Sequence, residues 1–214
     1  MRGFEWLDIA SLVLALRWTV WLSLLGAVGG GTIGLVIALG RTAKGRFPRI
    51  LSAIYIRIFQ STPLLMQLFL VYFGISILGV SVDPLLAATL ALSLNAGAFL
   101  GEIWRGCIES VPHGQDEAAQ ALGLRSWQRA VLVVLPQAVK IAVAPTVVYL
   151  VQLIKNTSLA SIIGFVELTR TGQIINNATF QPFLVFSLVA ALYFVVCWPI
   201  SWYSRRLEVR LANK

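Results

Sequence analysis

The chain has 214 residues, of which 58% are hydrophobic and 12% charged, and its formal net charge is +8. A soluble domain carries about 25% charged residues, so this composition excludes an ordinary soluble core and indicates a polytopic membrane protein. The length leaves room for about five helical spans of roughly 20 residues. Because the basic residues stand at the ends of apolar runs, membrane orientation and contact with membrane lipid explain the charge better than nucleic acid does.

The N-terminal segment leads into the first predicted span, at residues 17–40. It carries the acidic residues Glu5 and Asp8, lacks a multiply basic start and has no clear small-residue cleavage pattern. We therefore expect an amphipathic lead-in and not a cleavable signal. Glycines within the span form a small-residue surface suited to close helix packing. They are Gly26, Gly29, Gly30, Gly31 and Gly34.

The later apolar runs predict four more spans. These lie at residues 50–78, 84–108, 128–154 and 182–203. Pro63 interrupts the second span, since the residue before a proline is disfavoured in a helix. Pro136 and Pro145 perturb the fourth. Residues 158–180 are too polar to span and predict short external or re-entrant helices. No internal repeat or linker is visible, so residues 1–214 are expected to form one domain.

The distribution of lysine and arginine predicts the orientation. With the N-terminus outside and the C-terminus inside, 11 of the 17 basic residues fall in cytoplasmic segments and 4 in external ones. The cytoplasmic set is Arg41, Lys44, Arg46, Arg49, Arg105, Arg125, Arg129, Arg205, Arg206, Arg210 and Lys214. This asymmetry follows the positive-inside rule. The polar loop at residues 109–127 is then cytoplasmic.

That loop predicts two short helices. Asp116 and Glu117 open the first, because a helix N-terminus favours negative charge, and Gly123 closes it with a left-handed cap. A second helix begins near Ser126. The alanines Ala118, Ala119 and Ala121 give the first helix a thin body. An ordinary loop helix is the commoner explanation of such a pattern, and docking into the groove of a partner is the functional one.

Polar residues inside the spans are the other candidates for function, because burying them in a membrane is costly. Asn95 lies near the middle of the third span, where a helix–helix hydrogen bond explains it as well as a substrate contact does. Gln60, Ser61 and Thr62 flank the break at Pro63, and Gln67 lies about one turn beyond. A further cluster, which could equally be an interfacial cap, consists of Lys155, Asn156, Thr157 and Ser158.

Motifs for covalent chemistry or energy coupling are missing from the sequence. It has no phosphate-binding GxxxxGK[ST] and no GxSxG nucleophile motif. The lone His113 has no plausible set of metal ligands around it, and Cys107 and Cys197 form no CxxC pattern. We expect no catalytic residue, metal or cofactor on this chain, and any ATP chemistry on another polypeptide.

The loop resembles the EAA loop of bacterial ABC-importer permeases. The letters EAA from Glu117 are followed by three residues, Gly123, nine residues and then Val133-x-Leu135-Pro136, with Val133 in place of the usual isoleucine. Other segments resemble the polar-amino-acid branch of that family, from about Thr19 to the basic tail. They are TPLLMQLFLVYFG from Thr62, LSLNAGAFLGEIWRG from Leu92, SVPHGQ from Ser110, LPQA from Leu135 and KNTSLASIIGFVEL from Lys155.

This resemblance implies an all-α type I importer subunit in the bacterial inner membrane, with about five transmembrane helices and a cytoplasmic coupling helix. Its partners would be an ABC ATPase dimer that uses ATP and Mg, a second permease subunit (identical or paralogous) and an extracytoplasmic amino-acid-binding protein. The residues expected to contact the ATPase are Glu117, Ala118, Ala119, Leu122 and Gly123.

The resemblance also implies a substrate path lined by Asn95, Thr62, Gln67, Asn156 and Ser158. The family often has aspartate at position 156, and a neutral Asn156 cannot supply charge to a basic substrate. We therefore expect a neutral-polar or acidic amino acid, such as glutamine or glutamate. Many relatives have Arg-Gly where this chain has Gln60-Ser61, so a role of that arginine does not transfer, although Arg57 lies one turn earlier.

Two pairs of opposite charges spaced three residues apart are expected to be structural. They are Glu102 with Arg105 and Glu167 with Arg170. Three other kinds of protein remain open from the residues alone. An ion-coupled carrier or channel would explain the spans but not the EAA pattern, an intramembrane enzyme would need more than His113, and a membrane scaffold could bind an ATPase without transport.

Overall fold

The computed structural model describes residues 2–43 and 45–212, so Lys44 and Lys214 of the charge count lie outside the described residues. Within them every regular element is helical. The α-helices are α1 (Trp6–Thr42), α2 (Arg46–Ser61), α3 (Leu64–Phe69), α4 (Ile75–Ile77), α5 (Pro84–Glu109), α6 (His113–Ala121), α7 (Ser126–Arg129), α8 (Leu135–Asn156), α9 (Leu168–Thr179) and α10 (Pro182–Ala212). A π-helical turn joins α3 to α4 (Leu70–Gly74) and another joins α7 to α8 (Ala130–Val134), and a 3₁₀ helix, Thr157–Ile163, follows α8.

Four continuous helical segments in the described residues are long and apolar enough to cross a membrane, and a fifth crossing is available if α2–α4 counts as one bent span. The predicted break at Pro63 is confirmed, because α2 ends at Ser61 and the chain bends by 103° before it continues. These elements confirm an all-α polytopic fold. The short helices predicted at residues 158–180 are also present, as the 3₁₀ helix and α9.

The predicted start of the first span is wrong. Residues 6–16 are not a separate lead-in, because α1 runs without interruption from Trp6 to Thr42. No glycine or proline lies between Trp6 and Leu25 to break the helix. Asp8 supports the first turn, since its carboxylate accepts a hydrogen bond from the Glu5 backbone N–H at 3.0 Å and also binds Arg2.

Helices α1 and α5 pack closely and run parallel. Added Cβ atoms on Gly26 and Gly34 would lie 3.3 Å and 3.0 Å from the Cβ atoms of Leu92 and Leu100, so both partners advance by eight residues. The close packing expected of the glycines is confirmed along this face. Gly31 is an exception, because one residue of helix rotation turns it away from the contact, towards open space near the Trp104 ring.

The parallel arrangement decides how the chain crosses the membrane. If α1 and α5 both span in the same direction, the connection between them must return across the membrane, so the bent α2–α4 unit supplies that crossing. Helix α8 runs antiparallel to α5, since Phe99 stacks on Tyr149 while Trp104 donates a hydrogen bond to Thr146 at 2.9 Å. The ends of α1 and α5 and the start of α8 therefore share one side with α6.

Candidate coupling and translocation sites

Helix α6 forms the short helix predicted in the loop, but it starts earlier than predicted. It begins at His113, where the Gln115 backbone N–H already donates to the Pro112 carbonyl at 3.0 Å, so Asp116 lies in the first turn and does not open the helix. The left-handed cap is confirmed, because Gly123 has φ +80°. Only glycine adopts this conformation without a steric penalty.

Two hydrogen bonds close the C-terminus of α6 in a Schellman arrangement. The Gly123 N–H donates to the Gln120 carbonyl at 2.9 Å and the Leu124 N–H donates to the Ala119 carbonyl at 3.2 Å. Carbonyls that would otherwise remain unpaired at the helix end are thereby satisfied. The chain then turns sharply into α7, which starts at Ser126 as predicted.

The exposed side of α6 includes four of the five residues predicted to contact an ATPase. Glu117, Ala118 and Gly123 are exposed, and the Leu122 side chain is 82% exposed. Ala119 does not fit the prediction, because it is only 4% exposed and its methyl group faces inward. It lies two positions from Glu117, about 200° around the helix.

An ion pair holds α6 against the following segment. The Arg129 Nε atom lies 3.0 Å from the Asp116 carboxylate. The Arg129 side chain is 16% exposed and that of Asp116 is 42% exposed, so solvent partly screens this pair, and Arg129 Nε makes no hydrogen bond among the described residues. It connects α6 to the start of the long helical segment that continues through the π-helical turn into α8.

Gln67 is buried and lies at the centre of a polar cluster at the Pro63 break. Its Nε2 atom, which carries two hydrogens, lies within hydrogen-bond distance of three acceptors: the Phe59 carbonyl at 2.9 Å, the Thr62 carbonyl at 3.0 Å and the Thr62 hydroxyl at 2.8 Å. The last carbonyls of α2 lack helical partners because the helix ends there. The amide of Gln67 therefore caps α2 from the other side of the bend.

Asn95 ties this cap to α5. Its Nδ2 atom donates to Gln67 Oε1 at 3.1 Å, and both side chains are about 5% exposed (5% for Asn95 and 6% for Gln67). The structure thus brings together three of the five predicted path residues, Thr62, Gln67 and Asn95. Their polar groups are largely committed to one another in this conformation, and they determine the geometry of the bend.

The other two predicted path residues lie at the end of α8. Asn156 Oδ1 accepts a hydrogen bond from Gln152 Nε2 at 3.1 Å, and Ser158 Oγ donates to the Lys155 carbonyl at 2.7 Å. Among the described residues, no hydrogen bond connects them to the Gln67 cluster. The segments are nevertheless neighbours, because Leu68 of α3 shares a hydrophobic cluster with Ala160.

The predicted ion pair between Glu167 and Arg170 is wrong. Glu167 is fully buried, and its carboxylate accepts hydrogen bonds from the backbone N–H groups of Thr169 and Arg170, each at 2.9 Å. It therefore caps the N-terminus of α9. The Arg170 guanidinium donates to Gln173 instead, at 3.1 Å. The backbone N–H groups of the first helical turn have no helical partner, so a carboxylate at the N-cap position accepts hydrogen bonds from them instead of pairing with a side chain three residues later.

Glu167 also connects three helices. Tyr193 of α10 donates to its carboxylate at 2.9 Å and Thr19 of α1 donates at 3.4 Å. Burial raises the pKa of the Glu167 carboxyl above its usual range, although these four hydrogen bonds act in the opposite direction. The spacing from Arg170 predicted an ion pair instead of this role. The sequence sign of burial was the apolar neighbours Phe165 and Leu168, which are both buried in the structure.

The predicted pair of Glu102 and Arg105 is confirmed. Two guanidinium nitrogens of Arg105 bind the Glu102 carboxylate, at 2.9 Å and 2.5 Å, and a third contacts Glu109.

Gln60, the residue beside the break that replaces part of the usual Arg-Gly pair, donates to the Ala98 carbonyl of α5 at 3.4 Å.

Comparison with known proteins decides the family. Residues 30–213 match the model of the binding-protein-dependent transport system inner membrane component. The chain belongs to this family. Over 208 residues it is 35% identical to the glutamine transport system permease protein GlnP of Escherichia coli, covering 96% of this chain and 95% of that protein. It is 34% identical over 202 residues to the histidine/lysine/arginine/ornithine transport system permease protein HisM of Salmonella typhimurium, covering 90% of this chain and 86% of that protein.

A solved structure agrees with this assignment. An amino acid ABC transporter crystallised with histidines superposes with a TM-score of 0.90 at 30% identity, covering 98% of this chain and 100% of that chain. The protein is accordingly an inner membrane permease subunit of an amino-acid ABC importer, and it is not itself an enzyme, because the ATPase of such importers is a separate subunit. A free-standing carrier, channel or intramembrane enzyme does not fit this family.

Proposed function

We propose that this permease subunit translocates a neutral-polar or acidic amino acid, with glutamine and glutamate as the leading candidates. It would work beside a second permease subunit, with an ABC ATPase dimer at α6 and an extracytoplasmic binding protein at the opposite side. The N-terminus is then outside and the C-terminus inside, as the basic residues favour. The whole chain acts as one transmembrane domain.

The observation that carries the substrate proposal is the neutrality of the polar groups along the predicted path. Asn95, Gln67 and Thr62 offer only amides and a hydroxyl, and Asn156 stands where the resemblance leads us to expect aspartate. A basic substrate would need a carboxylate to compensate its charge in a partly dehydrated path. None of the hydrogen bonds in either group of described path residues involves a carboxylate.

The contacts of Asn156 suggest how such a substrate is recognised. Its Oδ1 is occupied by Gln152, while no hydrogen bond from its Nδ2 is present in the described part of the chain. An amide N–H group donates to a carbonyl or carboxylate oxygen, and both glutamine and glutamate carry one at the end of the side chain. Lys155, beside it and exposed, would favour an anionic over a cationic substrate.

Uptake in proteoliposomes tests the substrate. The permease would be reconstituted with its co-purifying ATPase and binding protein, and labelled glutamine, glutamate, arginine and histidine would be compared with and without internal ATP. We expect ATP-dependent uptake of glutamine or glutamate. Uptake of arginine without competition from glutamine or glutamate would contradict the proposed substrate class. Equal uptake with and without ATP would contradict the assignment as an ATP-driven importer.

Substitution of Asn156 tests whether its amide binds the end of the substrate side chain. Asn156→Asp should lower glutamate uptake relative to glutamine uptake, because it places a negative charge where the substrate carboxylate would bind. Asn177→Asp in α9 makes the same change at an exposed position away from the predicted path and serves as the control. An unchanged ratio in Asn156→Asp would contradict the assignment.

A second experiment tests the docking of the ATPase at α6. Leu122→Asp should reduce both co-purification of the ATPase and ATP-driven uptake, since it puts a charge at the most exposed apolar residue of that surface. Val80→Asp is the control, because Val80 is 56% exposed in the loop before α5, on the opposite side of the fold. Normal co-purification of the Leu122 variant would place the docking surface elsewhere.

A further inference from the structure

A basic cavity lies where the last turns of α1 and α5 meet the start of α2 and α6. Its volume is about 630 Å³. This is within the range of roughly 300–1,000 Å³ that small-molecule sites occupy. Three guanidinium groups line it, those of Arg41, Arg49 and Arg105, each from a different helix. The acidic residues Glu109 and Asp116 line it as well.

Two of these three arginines form no ion pair with a carboxylate among the described residues, although Glu102 is close enough to Arg41 for an electrostatic interaction. Arg105 is bound by Glu102 and Glu109, as described above. Asp116 is bound by Arg129. No ion pair within 4 Å engages Arg41 or Arg49 in the part of the chain that the structure describes. The carboxylates Glu102 and Glu109 are thus paired with Arg105, and Asp116 with Arg129. Because Arg105 takes two carboxylates, Arg41 and Arg49 leave this group of charges with one net positive charge.

The hydrogen bonds of these two arginines leave a buried donor without an acceptor. Arg49 Nη2 donates to the Ala43 carbonyl at 3.0 Å, which holds the guanidinium near the connection from α1 to α2. Arg41 Nε is buried and has no hydrogen-bond partner among the described residues. Because an unpaired buried donor costs free energy, a ligand that accepts hydrogen bonds from Arg41 would stabilise the protein.

We propose that this cavity binds the phosphate of an anionic phospholipid headgroup. Guanidinium groups form paired, charge-assisted hydrogen bonds with phosphate oxygens, and basic pockets between transmembrane helices on the cytoplasmic side bind anionic headgroups. The site is at the ends of the spanning helices α1 and α5, where headgroups lie. The inference rests on the orientation proposed above, which puts this end of the protein in the cytoplasm.

The test compares lipid binding to the assembled transporter. The complex would be purified through the same delipidation for each variant, and retained phosphatidylglycerol would be counted by native mass spectrometry and titrated back. We expect Arg41→Gln/Arg49→Gln to bind phosphatidylglycerol about thirtyfold more weakly than the wild type, from about 1 kcal/mol for each basic residue. Arg46→Gln is the matched control, since Arg46 is an exposed arginine on the same side and does not line the cavity.

A charge-conserving variant and a competition with soluble phosphates complete the test. Arg41→Lys/Arg49→Lys keeps both charges and should retain most of the binding, which separates loss of a ligand from misfolding. Equal retention in wild type, Arg41→Gln/Arg49→Gln and Arg46→Gln would overturn the proposal. Competition by soluble glycerol phosphate or inorganic phosphate as effective as that by the lipid would also overturn it, because the ligand would then be a free phosphate. ATP-driven uptake is scored separately, so failure here leaves the transport proposal intact.

Discussion

Replacing Gly30 by alanine should open the contact between α1 and α5. An added Cβ would collide with the Ala96 Cβ and lie 3.2 Å and 3.3 Å from the backbone C and Cα of Ala96. These atoms belong to a helix and cannot rotate away, so we take the upper end of the overpacking range, about 3 kcal/mol. Alanine regains about 1 kcal/mol of helix propensity over glycine. The expected net loss is about 2 kcal/mol of unfolding free energy.

Gly31→Ala is the matched control for this prediction. Its added Cβ would meet only the tip of the Trp104 ring, at 3.9 Å, which is ordinary van der Waals contact. It should therefore leave stability unchanged or raise it by up to about 1 kcal/mol. Unfolding by increasing SDS in mixed micelles, followed by circular dichroism, measures both variants. Equal stability of Gly30→Ala and Gly31→Ala would refute the close-packing argument.

Three further perturbations follow from the same contacts. Gly123→Ala should make hydrogen exchange at the Leu124 amide about 5–30-fold faster, because the left-handed conformation costs an alanine about 1–2 kcal/mol. Gly123→Asn should have a smaller effect, and equal exchange rates in the two variants would contradict this prediction. Gln67→Leu should cost about 1–3 kcal/mol by leaving carbonyls and Asn95 unpaired, and a double-mutant cycle with Asn95→Leu should show coupling, whereas strict additivity would argue against the cluster. Because the pKa of Glu167 is raised in the folded protein, the stability of the wild type relative to Glu167→Gln should be greatest below about pH 4.5 and should fall as the pH rises through that raised pKa. A pH-independent difference in melting temperature between the two proteins would contradict this prediction.

The sequence by itself determined the membrane class, the five apolar runs, the break at Pro63 and the left-handed cap at Gly123. These are local properties. Apolar run length responds to bilayer thickness, and proline and glycine restrict or release the backbone wherever they occur. The EAA spacing is likewise a local pattern, and it indicates the family without reference to any tertiary contact.

Only the tertiary structure decided which neighbours the polar residues meet. Spacing paired Glu167 with Arg170, but folding placed Glu167 between three helices, where backbone N–H groups and Tyr193 were closer partners. Gln67 and Asn95 are 28 residues apart and hydrogen-bond only because α3 returns against α5. Arg41 and Arg49 acquire a shared cavity in the same way. Such contacts depend on how separate helices pack, and the spacing of residues along one helix does not reveal which groups of another helix come within hydrogen-bond distance.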